Sequence, residues 1–145
     1  MIALIQRVTE ASVAVDGETV AAIGPGILAL VAAEPDDDEK RAARLAERVL
    51  SYRIFADDSG RMNQSATDTG QAVLAVPQFT LAANTRRGNR PGFSTACPPD
   101  RARDLFGYFV ATLTSRHARI DQGIFGADMQ VALINDGPVT FWLQA

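Results

Sequence analysis

The stretch that decides the fold class is MIALIQRVTEASVAVDGETVAAIGPGILALVAA, residues 1–33. It is rich in β-branched and apolar residues, and Asp16-Gly17 at its middle is a strong signal for a short hairpin. The nearly continuous apolar run 27–33 is typical of a strand that is buried on both faces. The sequence therefore predicts strands over residues 1–8, 12–15, 18–23 and 27–33.

Two amphipathic helices are predicted further along the chain. Asp36 can cap the first through its carboxylate, and acidic residues follow it at positions 37–39, where the helix dipole favours negative charge. Asp100 can cap the second in the same way. Apolar residues then recur at helical spacing and form one face of each helix. These are Ala42, Leu45, Ala46, Val49 and Leu50 in the first, and Ala102, Leu105, Phe106, Phe109, Val110 and Leu113 in the second.

The remaining apolar stretches indicate further strands. Residues 71–81 are interrupted by Pro77, so that strand must end, bulge or lie at an edge there. Residues 82–99 read as a long loop. Many strands with two helices that do not alternate regularly predict a single α+β domain over residues 1–145. Strands are expected at 52–56, 129–134 and 139–143, with turns at 57–60 and 135–138.

Composition excludes several classes of protein. The net charge of -3 and a pI of about 5.1 argue against a generic basic nucleic-acid binder, so any RNA contact must be local. Arg86, Arg87 and Arg90 in the long loop are the one candidate cluster for such a contact, although a solvated loop is the simpler interpretation of such a cluster. The N-terminus lacks a signal peptide, and no apolar run approaches the ~20 residues that span a bilayer. We expect a cytoplasmic protein without a membrane partner.

The residue types that are missing limit the chemistry. Cys97 and His117 are the sole cysteine and histidine, so a tetrahedral Cys/His zinc site is excluded, and we expect neither metal nor cofactor. A Ser-His-Asp triad would need His117, whose arginine neighbours suggest exposure, and Cys97 has no adjacent base. The acidic runs 36–39 and 57–58 lie in cap or turn contexts, and there is no phosphate-binding glycine loop. An enzyme built on this chain must therefore rely on hydroxyls, amides and backbone groups.

Two segments offer such groups. Residues 77–81 read PQFTL, and strand alternation would place Gln78 and Thr80 on one face with Phe79 on the other. After a strand end, free N–H groups and the Thr80 hydroxyl could hold a carbonyl oxygen as an oxyanion hole does. The second segment, NDGPVT at residues 135–140, has the pattern of a turn.

Taken together, these segments and four further blocks resemble the D-aminoacyl-tRNA deacylase family, also called D-tyrosyl-tRNA deacylases. The resemblance runs from end to end. The blocks are MIALIQRV at 1–8, RVLSYRIF at 48–55, QFTL at 78–81, RP at 90–91, ADMQV at 127–131 and NDGPVTFW at 135–142.

The resemblance implies a fold, an assembly and an activity. It implies curved antiparallel sheets that form a barrel-like body with two main helices packed on one side, and a homodimer with active sites at the interface. It also implies hydrolysis of the ester between a D-amino acid and the 3′ end of tRNA, and of mischarged Gly-tRNA.

The resemblance also assigns roles to residues. Gln78, Phe79 and Thr80 would hold the ester and the terminal adenosine. Gly137 and Pro138, joined by a cis bond and reaching in from the partner, would aim their carbonyls at the substrate amino group. Arg7 would brace this dipeptide, and the pocket would be lined by Phe125 and Met129.

One position departs from the family pattern. The motif usually begins with serine, and here Pro77 supplies neither a hydroxyl nor an N–H. Either the serine is dispensable or the protein is an altered member of the family. Two alternatives stay open: a non-catalytic RNA-binding or assembly module that keeps the fold, and a hydrolase of small free esters with Thr80 as nucleophile. The second lacks a visible general base.

Overall fold

One long strand, β1 (Ile2–Val15), lies at the centre of the main sheet. Its first half pairs with β3 (Gly26–Ala32) and its second half with β2 (Glu18–Ile23), both antiparallel. The opposite edge of β1 pairs antiparallel with β8 (Gln130–Gln144). Beyond β3 the sheet continues with two parallel strands, β6 (Ala72–Pro77) and β7 (Ile120–Gln122). The structure is a computed structural model that describes residues 1–86, 88–94 and 96–145.

Two long helices, α1 (Glu39–Ser51) and α3 (Pro99–Arg116), pack against each other on one face of the sheet. The predicted α+β class and barrel-like sheet are confirmed, but the sheet is mixed and not wholly antiparallel. The reason is that helical crossovers precede β6 and β7, and a crossover returns the chain parallel to the strand it left. The smaller elements are β4 (Phe55–Ala56), β5 (Met62–Gln64), α2 (Ala66–Thr69) and a 3₁₀ helix (Phe79–Ala82).

The core has a layer on each face of the sheet. The larger layer lies under the helices, where every apolar residue predicted for the two helix faces is buried. The smaller layer lies on the opposite face and includes Val8, Leu28, Leu74 and Val76. Within the described ranges, no helix is both long and apolar enough to cross a membrane.

The predicted helix caps at Asp36 and Asp100 are wrong. The N-cap of α1 is Asp38, whose carboxylate accepts from the Arg41 N–H at 2.9 Å. The helix starts later than predicted because the preceding carboxylate, Asp37, is buried and binds the N-terminal ammonium of Met1 at 2.6 Å. In α3 the cap position is Pro98 and Pro99 occupies the first turn, where a proline loses no helical hydrogen bond.

The strands lie at the predicted positions, but several of their predicted bounds differ from the observed ones. Residues 1–8 and 12–15 belong to one continuous strand, and the Asp16-Gly17 hairpin is confirmed, with positive φ values of 51° and 83°. The strand expected at 52–56 shrinks to β4, and residues 129–134 and 139–143 join into β8. The short elements β5, α2 and β7 were not predicted, because three or four residues carry too little periodicity to identify an element.

Candidate functional site

The chain turns sharply after β6. Strand pairing ends at Pro77, and the next N–H, that of Gln78, donates to the Val31 carbonyl at 2.7 Å. Because successive N–H groups of a strand point to opposite edges, the Pro77 nitrogen faces away from β3, toward the side where pairing with β7 has already ended. The proline therefore removes no ladder hydrogen bond, and the predicted end of the strand at this residue is confirmed.

The residues after Pro77, here called the Gln78 segment (Gln78–Thr80), lead into the 3₁₀ helix. The predicted strand geometry is therefore wrong. The Gln78 and Thr80 side chains nevertheless lie together as expected, because the Gln78 amide donates to the Thr80 hydroxyl oxygen. Among the described residues, the N–H groups of Phe79 and Thr80 have no acceptor, as expected in the first turn of a helix. The Phe79 ring is 57% exposed and lies 5.2 Å from the ring of Phe93, which sequence reasoning missed. The segment thus presents two free N–H groups, a hydroxyl and an aromatic ring.

The two predicted pocket residues lie in or beside the loop that follows β7, next to the end of β6. The loop is anchored by the Gly123 N–H, which donates to the Ala75 carbonyl at 2.9 Å. A Cβ at Gly123 would lie 2.8 Å from the Met129 sulfur and 3.5 Å from Cδ of Pro77, so Met129 lies beside the start of the Gln78 segment. Phe125 packs on the other face of the sheet, against α3.

The second predicted segment forms a large bulge in β8. Gln6 pairs with Thr140 and Val8 with Asn135, so residues 136–139, here called the β8 bulge, stand opposite the single residue Arg7. The Asn135 side chain closes the bulge by donating to the carbonyls of Arg7 at 3.1 Å and Val139 at 3.0 Å, and it accepts from the Val139 N–H at 3.1 Å. The turn predicted at residues 135–138 is wrong, because the chain continues along β1 on both sides of the bulge, and Asn135 locks the bulge instead.

Gly137 and Pro138 form the exposed tip of the bulge, and the bond between them is cis, as expected. Gly137 has a φ of +138°, and a Cβ there would lie 2.6 Å from Cγ2 of Val139 and 3.1 Å from Nη2 of Arg7. Only glycine fits this backbone without displacing its neighbours.

Arg7 ties the bulge to the body of the protein. Its Nε donates to the Asp136 carbonyl at 3.1 Å and lies 3.1 Å from the Asp136 carboxylate, while Nη1 donates to the Ile54 carbonyl at 3.0 Å. The Arg7 side chain is only 17% exposed, which limits the positions open to it. The arginine therefore holds the residue directly before the Gly137-Pro138 tip.

The Gln78 segment and the β8 bulge lie far apart in one chain. Pro77 is the register partner of Val31 on β3, and Val31 is the partner of Ala3 on β1. Arg7 lies four residues further along β1. Four residues along a strand and three strand spacings across the sheet amount to roughly 20 Å. One chain therefore does not bring the two predicted halves of the site together.

The other groups with chemical potential have structural environments. His117 is half-buried, with Nε2 2.8 Å from the Gln71 carbonyl, so the suggested exposure was wrong. Cys97 is buried, and burial raises the pKa of its thiol, as suits an inert residue. Hydrogen bonds from Ser59 and Asn63 lower the pKa of Asp57 to about 2 within its turn. In the part of the chain that the structure describes, no three metal-binding side chains cluster.

The arginine cluster of the long loop is only partly described. Arg86 and Arg90 are exposed, and Arg87 lies outside the described residues. The Arg86 N–H donates to the Asn84 side chain at 3.0 Å, and Asn84 pairs with Gly92 across the loop. Backbone hydrogen bonds between Asn84 and Gly92 therefore close this part of the loop, and the two described arginines lie between these residues.

Comparison with known proteins gives one consistent result. Residues 4–144 match the model of the D-Tyr-tRNA(Tyr) deacylase family. The chain is 60% identical over 144 residues to a D-aminoacyl-tRNA deacylase of Janthinobacterium sp. (strain Marseille), covering 99% of this chain and 97% of the relative. It is 58% identical to the D-aminoacyl-tRNA deacylase of Escherichia coli O1:K1 / APEC, covering 99% of each.

Solved structures agree on the fold. A c-Myc DNA Unwinding Element Binding Protein superposes with a TM-score of 0.96 at 39% identity, covering 100% of this chain and 99% of that one. A probable eukaryotic D-amino acid tRNA deacylase superposes with a TM-score of 0.88 at 16% identity, over 99% and 98% of the two chains. At that identity the second likeness shows the fold alone.

Proposed function

The chain belongs to the D-Tyr-tRNA(Tyr) deacylase family, and we propose that it hydrolyses the ester bond of D-aminoacyl-tRNA, releasing the D-amino acid and the tRNA. The observation that carries this proposal is the 58–60% identity to named deacylases along almost the whole chain. The reaction serves chiral proofreading of translation in the cytoplasm. Mischarged Gly-tRNA is a second substrate, because a pocket that rejects L side chains does not reject an absent one.

The Gln78 segment holds the reacting ester. The N–H groups of Phe79 and Thr80, at the start of the 3₁₀ helix, have no acceptor among the described residues, and two such donors suit an oxygen that gains negative charge during hydrolysis. Gln78 and Thr80 are linked by their own hydrogen bond, which fixes the hydroxyl beside these donors. The exposed Phe79 and Phe93 rings offer a surface on which the terminal adenine can stack.

The chemistry relies on position and electrostatics. Water attacks the ester carbonyl, the acyl–oxygen bond breaks, and the departing ribose oxygen takes a proton, so that carboxylic acid and tRNA are released. The neighbouring 2′-hydroxyl of the ribose assists, which suits a site that offers a hydroxyl and backbone donors. Orienting the ester and stabilising the developing charge are then the contributions of the protein.

The β8 bulge selects the hand of the substrate. The carbonyls of Gly137 and Pro138 accept hydrogen bonds from the substrate amino group, and the rigid backbone leaves no room for an L side chain. Arg7 positions the bulge through Asp136. Met129, beside Pro77, lines the pocket on the side of the Gln78 segment. Phe125 packs against α3 on the other face of the sheet and anchors the loop that leads to Met129.

The site requires a homodimer. Because the two halves lie roughly 20 Å apart in one chain, the bulge of one subunit enters the site built on the Gln78 segment of the other. The sheet face opposite the helices is suited to the contact: Leu4 pairs with Trp142 and Leu30, and the Trp142 side chain is 51% exposed. Two-fold packing of this face on itself would give two equivalent sites.

Comparing three substrates tests the proposal. Purified protein should release amino acid from D-Tyr-tRNA and Gly-tRNA and leave L-Tyr-tRNA intact. Equal rates on the D and L esters would refute chiral editing. Release from neither ester of tRNA would favour the non-catalytic RNA-binding module. Rapid hydrolysis of a free D-tyrosine ester with no preference for tRNA would favour a small-ester hydrolase.

A further inference from the structure

A groove of about 530 Å³ lies at the C-terminal end of α1, and none of the roles assigned above uses it. Its walls come from the last turns of α1, the segment that follows, the β5 strand and the end of β8. We call it the arginine groove. It is lined by Arg44, Arg48, Ser51, Tyr52, Arg53, Met62 and Phe141.

The groove carries positive charge in a chain with a net charge of -3. Three of its lining side chains are arginines, and none is acidic. The nearest carboxylate to Arg44, that of Glu47, lies 3.4 Å from it but 2.7 Å from Arg116, so its charge is shared. Arg48 donates to a neutral carbonyl, that of Gln144. Arg53 is one cause of the lowered pKa of Asp68, so that carboxylate offsets part of its charge. With three arginines and no acidic lining residue, the groove still carries net positive charge.

Aromatic rings lie between these arginines. Tyr52 and Phe141 pack with ring centroids 5.1 Å apart at an angle of 56°. Guanidinium groups for phosphates and aromatic rings for bases are the combination that suits a nucleic-acid strand. An acidic peptide could pair with the guanidinium groups but has no bases to stack on the rings, so the combination favours a nucleic-acid strand.

The groove adjoins the β8 bulge. Phe141 lies two residues beyond the end of the bulge, about 7 Å along a strand. On the opposite wall of the groove, Arg53 directly precedes Ile54, whose carbonyl accepts a hydrogen bond from Arg7 Nη1. A polymer whose end sits at the Gly137-Pro138 tip can thus continue into the groove without crossing the sheet.

We propose that the arginine groove binds the phosphate backbone of the tRNA substrate just before its 3′ end. This rests on the proposed function. Because the bulge beside the groove enters the site of the other subunit, the groove of one subunit holds the RNA whose ester is cleaved on the Gln78 segment of its partner. The groove supplies affinity for the RNA and takes no part in the chemistry.

The double variant Arg44→Gln/Arg53→Gln tests this assignment, since neither side chain contacts the bulge. We expect its affinity for uncharged tRNA, measured by fluorescence anisotropy on the intact protein, to fall about tenfold or more. The slope of log affinity against log salt should fall by roughly 1 to 2, since two phosphate contacts are lost. KM for D-Tyr-tRNA should rise while kcat stays unchanged.

Lys40→Gln/Arg119→Gln is the matched control, because it removes two exposed charges outside the groove. It should bind tRNA within about twofold of the unmodified protein. Equal affinities of the two double variants for tRNA would refute the assignment of the groove as a tRNA-binding site, even if the protein hydrolyses D-Tyr-tRNA. Groove-dependent binding of tRNA without any hydrolysis would support the groove and refute the proposed function. The midpoint of thermal unfolding is measured for the double variant and for the single variant Arg53→Gln. Weaker tRNA binding with an unchanged midpoint identifies a lost contact, and a lowered midpoint identifies a folding defect.

Discussion

At the scale of single residues, the N–H of Phe79 carries the most specific expectation. Phe79 is the first residue of the 3₁₀ helix, a position that accepts proline because its N–H has no helical partner. Phe79→Pro therefore removes one proposed oxyanion donor and leaves the turn in place. Loss of one such donor lowers kcat by about 100-fold to 1000-fold in comparable sites. The rate of D-tyrosine release from D-Tyr-tRNA under single-turnover conditions measures this decrease.

Phe79→Leu is the control for the lost aromatic ring. Leucine keeps the N–H but loses the contact with Phe93 and the stacking surface for adenine. Its effect should appear mainly in KM. If the proline and leucine variants had the same kcat, the backbone donor would have no part in the reaction.

Pro77→Ser tests whether the departure from the family motif matters. The Pro77 nitrogen faces away from β3, and the two free N–H groups come from the residues that follow the strand end. Since serine would add a backbone N–H and a hydroxyl without moving these groups, we expect a change in deacylation rate within about threefold. A gain well above tenfold in the same assay would identify the protein as an impaired member of its family.

At the scale of elements, the β8 bulge depends on Asn135. Its side chain makes three hydrogen bonds across the bulge, each worth about 0.5–1.5 kcal/mol in net stability. Asn135→Ala should lower the free energy of unfolding by roughly 2–3 kcal/mol and lower the deacylation rate, because the tip loses its fixed position. Urea denaturation and D-Tyr-tRNA hydrolysis measure the two effects.

Gln130→Ala in the same strand serves as the comparison. Gln130 is exposed, and no hydrogen bond of its side chain is present among the described residues. Its replacement should change stability by less than about 0.5 kcal/mol. An Asn135→Ala variant that behaved like this one would show that the bulge holds its shape without the asparagine.

The elements also show which parts of the fold were predictable from sequence. Both helix faces were predicted residue by residue, because long amphipathic periods report burial directly. The cap of α1 was not, since Asp36, Asp37 and Asp38 are equally good cap residues. Asp37 is instead engaged by the distant N-terminal ammonium and by the Glu34 N–H, which leaves Asp38 as the cap. The 3₁₀ helix was missed because Gln78-Phe79-Thr80 reads as a strand by alternation, and the turn is imposed by the end of pairing at Pro77.

At the scale of the whole molecule, the residues of the candidate site and its division between two subunits were predicted from the family resemblance alone. Nothing in the spacing of Gln78 and Gly137 along the sequence tells how far apart they lie across the sheet of one chain. The sheet register supplies that information, because it places three strand spacings between them. Locks such as Asn135 are also invisible in sequence, since the residue is equally typical of an ordinary turn.

Mixing two inactive variants tests the arrangement of the dimer. In a Phe79→Pro subunit the Gln78 segment is damaged and the bulge is intact. In a Gly137→Ala subunit the bulge is damaged, because a Cβ there would clash with Val139 and Arg7. If each site combines the Gln78 segment of one subunit with the bulge of the other, every mixed dimer contains one undamaged site and one doubly damaged site.

Refolding equal amounts of the two variants together should therefore restore activity that neither possesses alone. Half of the dimers are mixed after random pairing, and half of their sites are undamaged, so about a quarter of the unmodified activity on D-Tyr-tRNA should return. Refolding each variant separately and then combining the products is the control, which should stay inactive as long as the subunits do not exchange. A mixture no more active than the sum of its parts would mean that both segments act within one chain, which the separation of roughly 20 Å across the sheet does not permit without a large rearrangement.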